Sequence, residues 1–253
     1  MTKSEQYKLE IQAAVDLETY LKQNSCLPGP RSNLELLYVA ADLCNEADLR
    51  KWLALSPEQA PENTPEVFLQ LIGVVGLGRL ILEHGQPEDT RRLREFANDD
   101  RWRVREGVAM ALQQIGFKDA QLLAEITRPW LDGSLHELRA VAAAWAEPGL
   151  LKMAFSQNTA LECMDQITRN FQQSTSTDKE ARRILKKGLE YAWSVVVAAN
   201  LELGKPFFEK WFHADQAIRK IMLVNLTKNR LIKADPVWVD TLIAQAGKEV
   251  DHD

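Results

Sequence analysis

The chain has 253 residues, 45% of them hydrophobic and 26% charged, with a formal net charge of −5. Those proportions exclude a fibrous chain and one disordered by composition. Apolar runs such as Leu69 to Leu77 are shorter than the ~20 residues a bilayer span needs, and MTKSEQYKLE lacks the basic-then-apolar pattern of a secretory signal. A cytoplasmic protein with no membrane partner is expected. Cys26, Cys44 and Cys163 are too few and too far apart for a disulfide framework or a C-x-x-C zinc site. They are expected to be inert thiols, with no metal and no small-molecule cofactor.

In chain order, Ile11, Val15, Leu17 and Leu21 recur at three- and four-residue spacing and predict a helix over about 4–23. Leu34, Leu37, Ala40, Ala41 and Cys44 predict another. Pro57, Thr64-Pro65-Glu66 and Pro87 mark helix starts, because proline at the first helical position gives up an N–H that has no partner anyway. Gly73, Gly76 and Gly78 lie inside an apolar helical pattern over 67–82, which suits close helix packing better than a phosphate loop, since the latter needs a strand before it. Ser134-Leu-His-Glu137 has capping-box spacing. Ser194 to Ala198 is strand-like but sits inside a longer helical pattern over 178–200. Asp235-Pro236 opens a last helix over 236–248. Two-residue alternation is not sustained anywhere, so the fold class is all-α, with twelve or thirteen helices.

Charge is segregated along this series. Residues 1–90 carry 7 Lys/Arg against 14 Asp/Glu, residues 91–233 carry 23 against 17, and the last 20 carry 1 against 5. The middle stretch permits an anionic partner, and the acidic first third permits a protein one.

A repeat runs through the basic stretch. An apolar residue followed by Arg, then helical apolar positions, recurs at Val104-Arg105, Leu138-Arg139, Ala181-Arg182 and Ile218-Arg219, the arginines being 34, 43 and 37 residues apart. That period fits two helices and two turns per unit. DDRWRVREGVAMALQQIG resembles the second helix of a HEAT repeat, and Ala47-Asp48-Leu49-Arg50 is a candidate degenerate unit upstream. The resemblance implies an α-α superhelix in which stacked helix pairs bury faces that no pair buries alone. Residues 1–86 are read as an N-terminal helical region, degenerate repeats or a cap, and 87–253 as HEAT-like repeats. In such proteins the repeat Asp and Arg commonly face each other as a ladder, so Arg105, Arg139, Arg182 and Arg219 are either internal struts or ligand-binding groups.

Four histidines are present, and only His136-Glu137 forms a His-Glu pair. Deoxyhypusine hydroxylase, a HEAT-repeat enzyme family, holds two irons with several such pairs, and one pair cannot supply that set. His213-Ala-Asp215 reads as a surface turn. No G-x-S-x-G or activated-cysteine context is present.

Arg91, Arg92, Arg94, Arg101, Arg103 and Arg105 fall within 15 residues around Trp102, and Arg128/Trp130, Lys186-Lys187/Trp193 and Lys210/Trp211 extend the interleaving. Cations neutralise phosphates and tryptophan stacks on bases; the same pattern also suits an amphipathic helix with core tryptophans. Ile218-Arg219-Lys220, Leu226 and Asp235-Pro236-Val-Trp238-Val239 resemble the late repeats of HEAT-like alkylpurine DNA glycosylases over about 22 residues, with Val224 where that family has tryptophan. That resemblance implies a carboxylate near the sugar, for which Asp132 and Asp165 are candidates by residue type. Two functions are therefore expected: a non-enzymatic repeat protein binding a protein or duplex DNA on its concave face, or a DNA glycosylase or DNA-binding relative acting on alkylated bases. Arg101, Trp102, Arg103, Arg105, Arg139, Arg182 and Arg219 are the candidate partner-binding residues.

Overall fold

The computed structural model describes the backbone of residues 1–250 and the side chains of residues 1–247; His252 and the end of the expected 87–253 region lie outside them. Among the described residues there are fifteen α-helices and no strand, so the protein is all-α. The chain divides into two compact units, Met1–Asp119 and Ala120–Asp253. The division read from the sequence lay at 86/87. Residues 87–119 group with the N-terminal helices because their long helix packs against the most buried helix of the first unit.

The first unit contains α1 (Lys3–Ala13), α2 (Leu17–Gln23), α3 (Leu34–Leu43), α4 (Glu46–Leu53), α5 (Pro65–His84), α6 (Pro87–Phe96) and α7 (Trp102–Lys118). The helix expected over 4–23 is broken into α1 and α2. Asp16 is extended and its carboxylate accepts from Thr19 N (3.1 Å) and Thr19 Oγ1 (2.7 Å), a local side-chain bond that competes with helix continuation. Pro57 opens a turn and not a helix: Ala60 N donates to Ser56 O (2.9 Å), and Pro61 has no N–H to carry the pattern on.

α5 is the core of this unit. Proline occupies its first position and Gly85 ends it in the left-handed region (φ 61°). Its apolar residues run all round the helix, which is the pattern of a helix buried on every side. It packs against α2, α3, α4, α6 and α7. The glycine run serves this packing. A Cβ at Gly76 would stand 2.7 Å from the Leu49 side chain, and one at Gly78 would stand 2.8 Å from Ala111 O, so α4 and α7 approach closer than alanine allows. At 20 residues, α5 is long and apolar enough to cross a bilayer by length and composition, which corrects the length argument above. In this structure 78% of its most apolar stretch is buried within the protein.

The second unit contains α8 (Ala120–Thr127), α9 (Leu135–Trp145), α10 (Ala154–Gln173), α11 (Lys179–Ala199), α12 (Leu201–Phe212), α13 (Gln216–Leu226), α14 (Asn229–Ala234) and α15 (Pro236–Val250), with short 3-10 turns at Arg128–Trp130 and Leu150–Lys152. Here α11 is central and packs against α9, α10, α12, α13 and α14. The strand-like Ser194 to Ala198 is helical and almost wholly buried, because tertiary packing overrides β-propensity. Of the capping oxygens the sequence places, Ser134 accepts from Glu137 N (3.1 Å) and Asp235 from Trp238 N (3.0 Å), whereas Thr64 before α5 makes no side-chain cap and its hydroxyl donates to Pro61 O (2.8 Å).

One pairing recurs inside this unit. Trp145 Nε1 donates to Thr127 Oγ1 (3.2 Å), and Trp193 Nε1 donates to Thr168 Oγ1 (3.0 Å). Each hydroxyl in turn donates to the carbonyl four residues back, Leu123 O and Met164 O. A buried indole N–H needs an acceptor, and the same solution ties α9 to α8 and α11 to α10.

In both units helices two apart in the chain pack on one another: α1 on α3, α3 on α5 and α5 on α7; then α9 on α11, α11 on α13, α8 on α10 and α10 on α12. Three of the repeat arginines tie successive helices through backbone carbonyls. Arg105, Arg182 and Arg219 occupy the fourth residue of α7, α11 and α13. Arg105 donates to Asp99 O and Asp100 O after α6, Arg182 to Phe171 O (3.2 Å) and Ser174 O (3.4 Å) at the end of α10, and Arg219 Nε to Phe212 O (3.0 Å), the last residue of α12. Carbonyls at a helix C-terminus have no intrahelical partner and carry the negative end of the dipole, so a guanidinium answers both needs. A cross-helix arginine–carboxylate pair is made by Arg50 of α4, whose guanidinium grips buried Asp89 of α6 through two bonds of 2.8 and 3.0 Å.

Candidate binding site at Trp102

α7 begins at Trp102 between two arginines that are both buried. Arg101, 5% exposed, donates through Nε (2.8 Å) and Nη2 (2.6 Å) to the Asp99 carboxylate and through Nη1 to Ala60 O (3.0 Å) and Gln70 Oε1. Arg103, 3% exposed, donates to Glu62 Oε1 (2.5 Å), Gly29 O (2.7 Å), Asn63 Oδ1 (3.2 Å) and Ser32 Oγ (3.4 Å). A guanidinium has five donors in a rigid fork, and these two are spent on loops and on α5. The sequence placed Arg101 and Arg103 among partner-binding cations; the structure places them in internal networks, because a buried charge must be paired and hydrogen-bonded.

Trp102 between them is 46% exposed. The Arg103 guanidinium lies over its ring at 4.4 Å from the centroid, close enough for a cation–π contact that fixes the indole. Five other tryptophans aim their N–H at internal acceptors: Trp52 at Glu18, Trp145 at Thr127, Trp193 at Thr168, Trp211 at Asp165 and Trp238 at Glu209. The Trp102 N–H has no acceptor among the described residues. Of the tryptophans read beside basic residues, Trp130, Trp193 and Trp211 are buried, so Trp102 is the one on display.

Trp102 and Arg103 border an open depression of about 550 Å³ whose other walls are Pro28, Gly29, Pro30, Glu62 and Asn63. The loop is held from within. Gly29 N donates to Asn63 Oδ1 (3.0 Å), and a Cβ at Gly29 would stand 2.5 Å from Cys26 O, so only glycine fits. Asn63 has φ 65°, a left-handed geometry that asparagine tolerates better than most residues. The lining contains an aromatic face, an unused indole donor, two pyrrolidine rings and a neutralised Arg–Glu pair.

The remaining expected residues lie elsewhere. Arg105, Arg182 and Arg219 are half-buried on the carbonyls described above, and Arg182 also lies over Phe171 (4.4 Å). Arg139 is half-buried on α9, its Cγ 3.6 Å from where a Gly188 Cβ would stand. Asp132 is exposed in the turn before α9. Asp165 is 13% exposed and accepts from Arg169 (2.8 Å), Trp211 Nε1 (2.8 Å) and Lys210. It is a saturated anchor between α10 and α12. Pro28, Gly29, Pro30 and Asn63 were not singled out in the sequence. The Pro-Gly-Pro punctuation was visible, but its nearness to Trp102 comes from tertiary contact over some seventy residues.

No protein-family model matches the chain, and no curated protein matches it. Among solved structures, a crystal structure of an engineered protein from the Northeast Structural Genomics Consortium aligns over 96% of this chain and 98% of its own, at 13% identity and a TM-score of 0.35. That likeness is too low to carry an argument about fold or function.

Proposed function

We propose that this protein is a non-enzymatic helical-repeat scaffold of the HEAT-like α-solenoid kind that holds a partner protein, docking an extended proline-bearing segment on Trp102. The observation that carries this reading is the half-exposed Trp102 with its unused indole N–H. A fixed aromatic ring offers a large apolar area at little entropy cost, which is why tryptophan is enriched at binding hot spots. Proline-rich segments are pre-extended, dock on aromatic-lined surfaces and offer carbonyls to an indole N–H. The pyrrolidine walls of Pro28 and Pro30 and the neutralised Arg103–Glu62 pair suit such an uncharged ligand.

The repeat reading draws support from helices packed two apart within each unit and from the arginines at matching positions of α7, α11 and α13. Protein is favoured over duplex DNA at this site because the two nearest guanidiniums are consumed internally. The surrounding unit, residues 1–119, also carries 14 Lys/Arg against 19 Asp/Glu, which repels phosphates. The glycosylase reading gains nothing from Asp165, whose oxygens already serve three donors.

The test is tryptophan fluorescence and calorimetric titration with an array of proline-rich peptides and their Pro→Ala counterparts. Saturable binding that needs the prolines and disappears in Trp102→Ala is the expected result. Equal binding by wild type and Trp102→Ala, or none by either, overturns the proposal.

A further inference from the structure

The second unit contains a groove of about 590 Å³ unrelated to Trp102. The second half of α11 supplies Tyr191, Val195 and Ala198, the turn Leu150–Lys152 supplies Leu151 and Lys152, and α14 supplies Arg230. Val195 and Leu151 are buried and make an aliphatic floor. Tyr191, 49% exposed, has the Arg230 guanidinium over its ring at 4.5 Å. Aliphatic floor, aromatic wall and cationic rim meet in a space of the size that ligand pockets occupy.

The cations there differ from their neighbours. Elsewhere on these helices Arg183 pairs with Glu180, Lys186 with Glu190, Lys205 with Asp235, and Lys210 and Arg169 with Asp165. Lys152 and Arg230 at the rim, and Lys187 one helical turn before Tyr191, have no carboxylate partner among the described residues. The groove lining itself contains no carboxylate. Positive charge is thus left uncompensated around an apolar slot. The one amide in the lining, Gln157, is occupied: its Nε2 donates to Leu151 O (2.9 Å) and its Oε1 accepts from Asn200 Nδ2 (3.0 Å). The polar groups that remain in the lining are the Tyr191 hydroxyl and the Lys152 and Arg230 cations, while the floor offers an aliphatic side chain only methyl groups and ring carbons.

The geometry points to a second docking site, for an acidic peptide segment that inserts an aliphatic side chain against Leu151, Val195 and Tyr191 and lays its carboxylates on Lys152 and Arg230. Complementary charge steers such an encounter and fixes register, while the apolar insertion holds the bound state.

The experiment uses the full chain and three fluorescein-labelled probes: a peptide of Asp, Glu and Leu, its counterpart of Ser and Leu, and a single-stranded deoxythymidine oligonucleotide. Anisotropy titrations are run on wild type, Lys152→Glu/Arg230→Glu, Tyr191→Ala and Trp102→Ala, with melting curves to confirm folding. If the charge-reversed variant melts early, Lys152→Gln/Arg230→Gln takes its place. The expected result is saturable binding of the acidic peptide, weakened roughly tenfold or more by the charge reversal, weakened by Tyr191→Ala and by added salt, and unchanged in Trp102→Ala. Absence of acidic-peptide binding overturns the proposal, as does equal binding of the Ser counterpart or indifference to the charge change. Tighter binding of the oligonucleotide overturns it too, by making the groove a nucleic-acid site.

Discussion

The Arg103 guanidinium carbon lies 4.4 Å from the centroid of the Trp102 ring, and the same guanidinium is bonded to Glu62, Gly29, Asn63 and Ser32. One residue therefore supports the aromatic face and closes the loop that forms the opposite wall of the depression. The pair divides the labour, Arg103 holding structure and Trp102 meeting solvent.

Mutation separates these roles. Trp102→Ala should leave stability within about 0.5 kcal/mol, as surface changes do. Arg103→Ala should cost about 3 kcal/mol, because it strands Glu62 and several loop acceptors. Urea midpoints of the two variants check this. A larger loss in Trp102→Ala than in Arg103→Ala contradicts the assignment.

The arginine ties predict a second pattern. Arg105→Ala, Arg182→Ala and Arg219→Ala should each lose about 1–2 kcal/mol, the worth of charged hydrogen bonds to partly exposed carbonyls. Peptide binding in the Tyr191 groove should be unaffected. Denaturation midpoints and the anisotropy titration read the two quantities separately.

Glycine positions give opposite signs. Gly78→Ala sets a Cβ 2.8 Å from Ala111 O, so α5 and α7 must part, at a cost of about 1–3 kcal/mol. Gly188→Ala meets only the Arg139 Cγ at 3.6 Å, an ordinary contact in mid-helix, and should stabilise by about 0.5–1 kcal/mol. Thermal melts of both variants decide the matter.

Thiol chemistry follows burial. Burial pushes the thiols of Cys44 and Cys163 up to about 12, while Cys26 is exposed. A disulfide reagent at neutral pH should titrate one thiol in the native protein and three in denaturant. The sign of the linkage is set by the raised folded value. Stability from these two groups is intact below the ordinary thiol pKa of about 8.5 and is lost as pH rises from there toward 12. Cys44→Ala/Cys163→Ala should flatten that alkaline limb.

On the acid side Asp215 is the group to follow. The Gln172 amide, then the Ile218 and Ala217 N–H groups at the start of α13, hold its carboxyl below the usual range. Its stabilisation is full above the ordinary carboxylate pKa of about 3.9 and vanishes as pH falls through the depressed folded value. Asp215→Asn keeps a capping oxygen but cannot titrate, so its stability should vary less with pH below about 4. Midpoints measured across pH 2–7 test it.

Much of the architecture was legible in the chain itself. The 3.6-residue periodicity, the prolines at 65, 87 and 236 and the capping oxygens at 134 and 235 located most helices, because these are interactions within a few residues of sequence. The repeat arginines were visible for the same reason, since Arg105, Arg182 and Arg219 each sit at the fourth residue of their helices. What each one touches was not visible. Arg105, Arg182 and Arg219 reach the ends of preceding helices, while Arg101 and Arg103 bind loops forty and more residues away, and only tertiary packing decides which acceptors lie within reach of a guanidinium.

The same limit governs the sites. Composition and spacing marked 101–103 as unusual, and that segment does border a depression, but with the charges turned inward and the indole outward. Tyr191, Lys152 and Arg230 carry no local motif at all, being spread over some eighty residues. Helix class is determined locally, by backbone bonds and the period of burial. A surface is determined by which side chains find internal partners, and that the Trp102 N–H has no acceptor and Lys152 and Arg230 no carboxylate among the described residues is known only once the helices are packed.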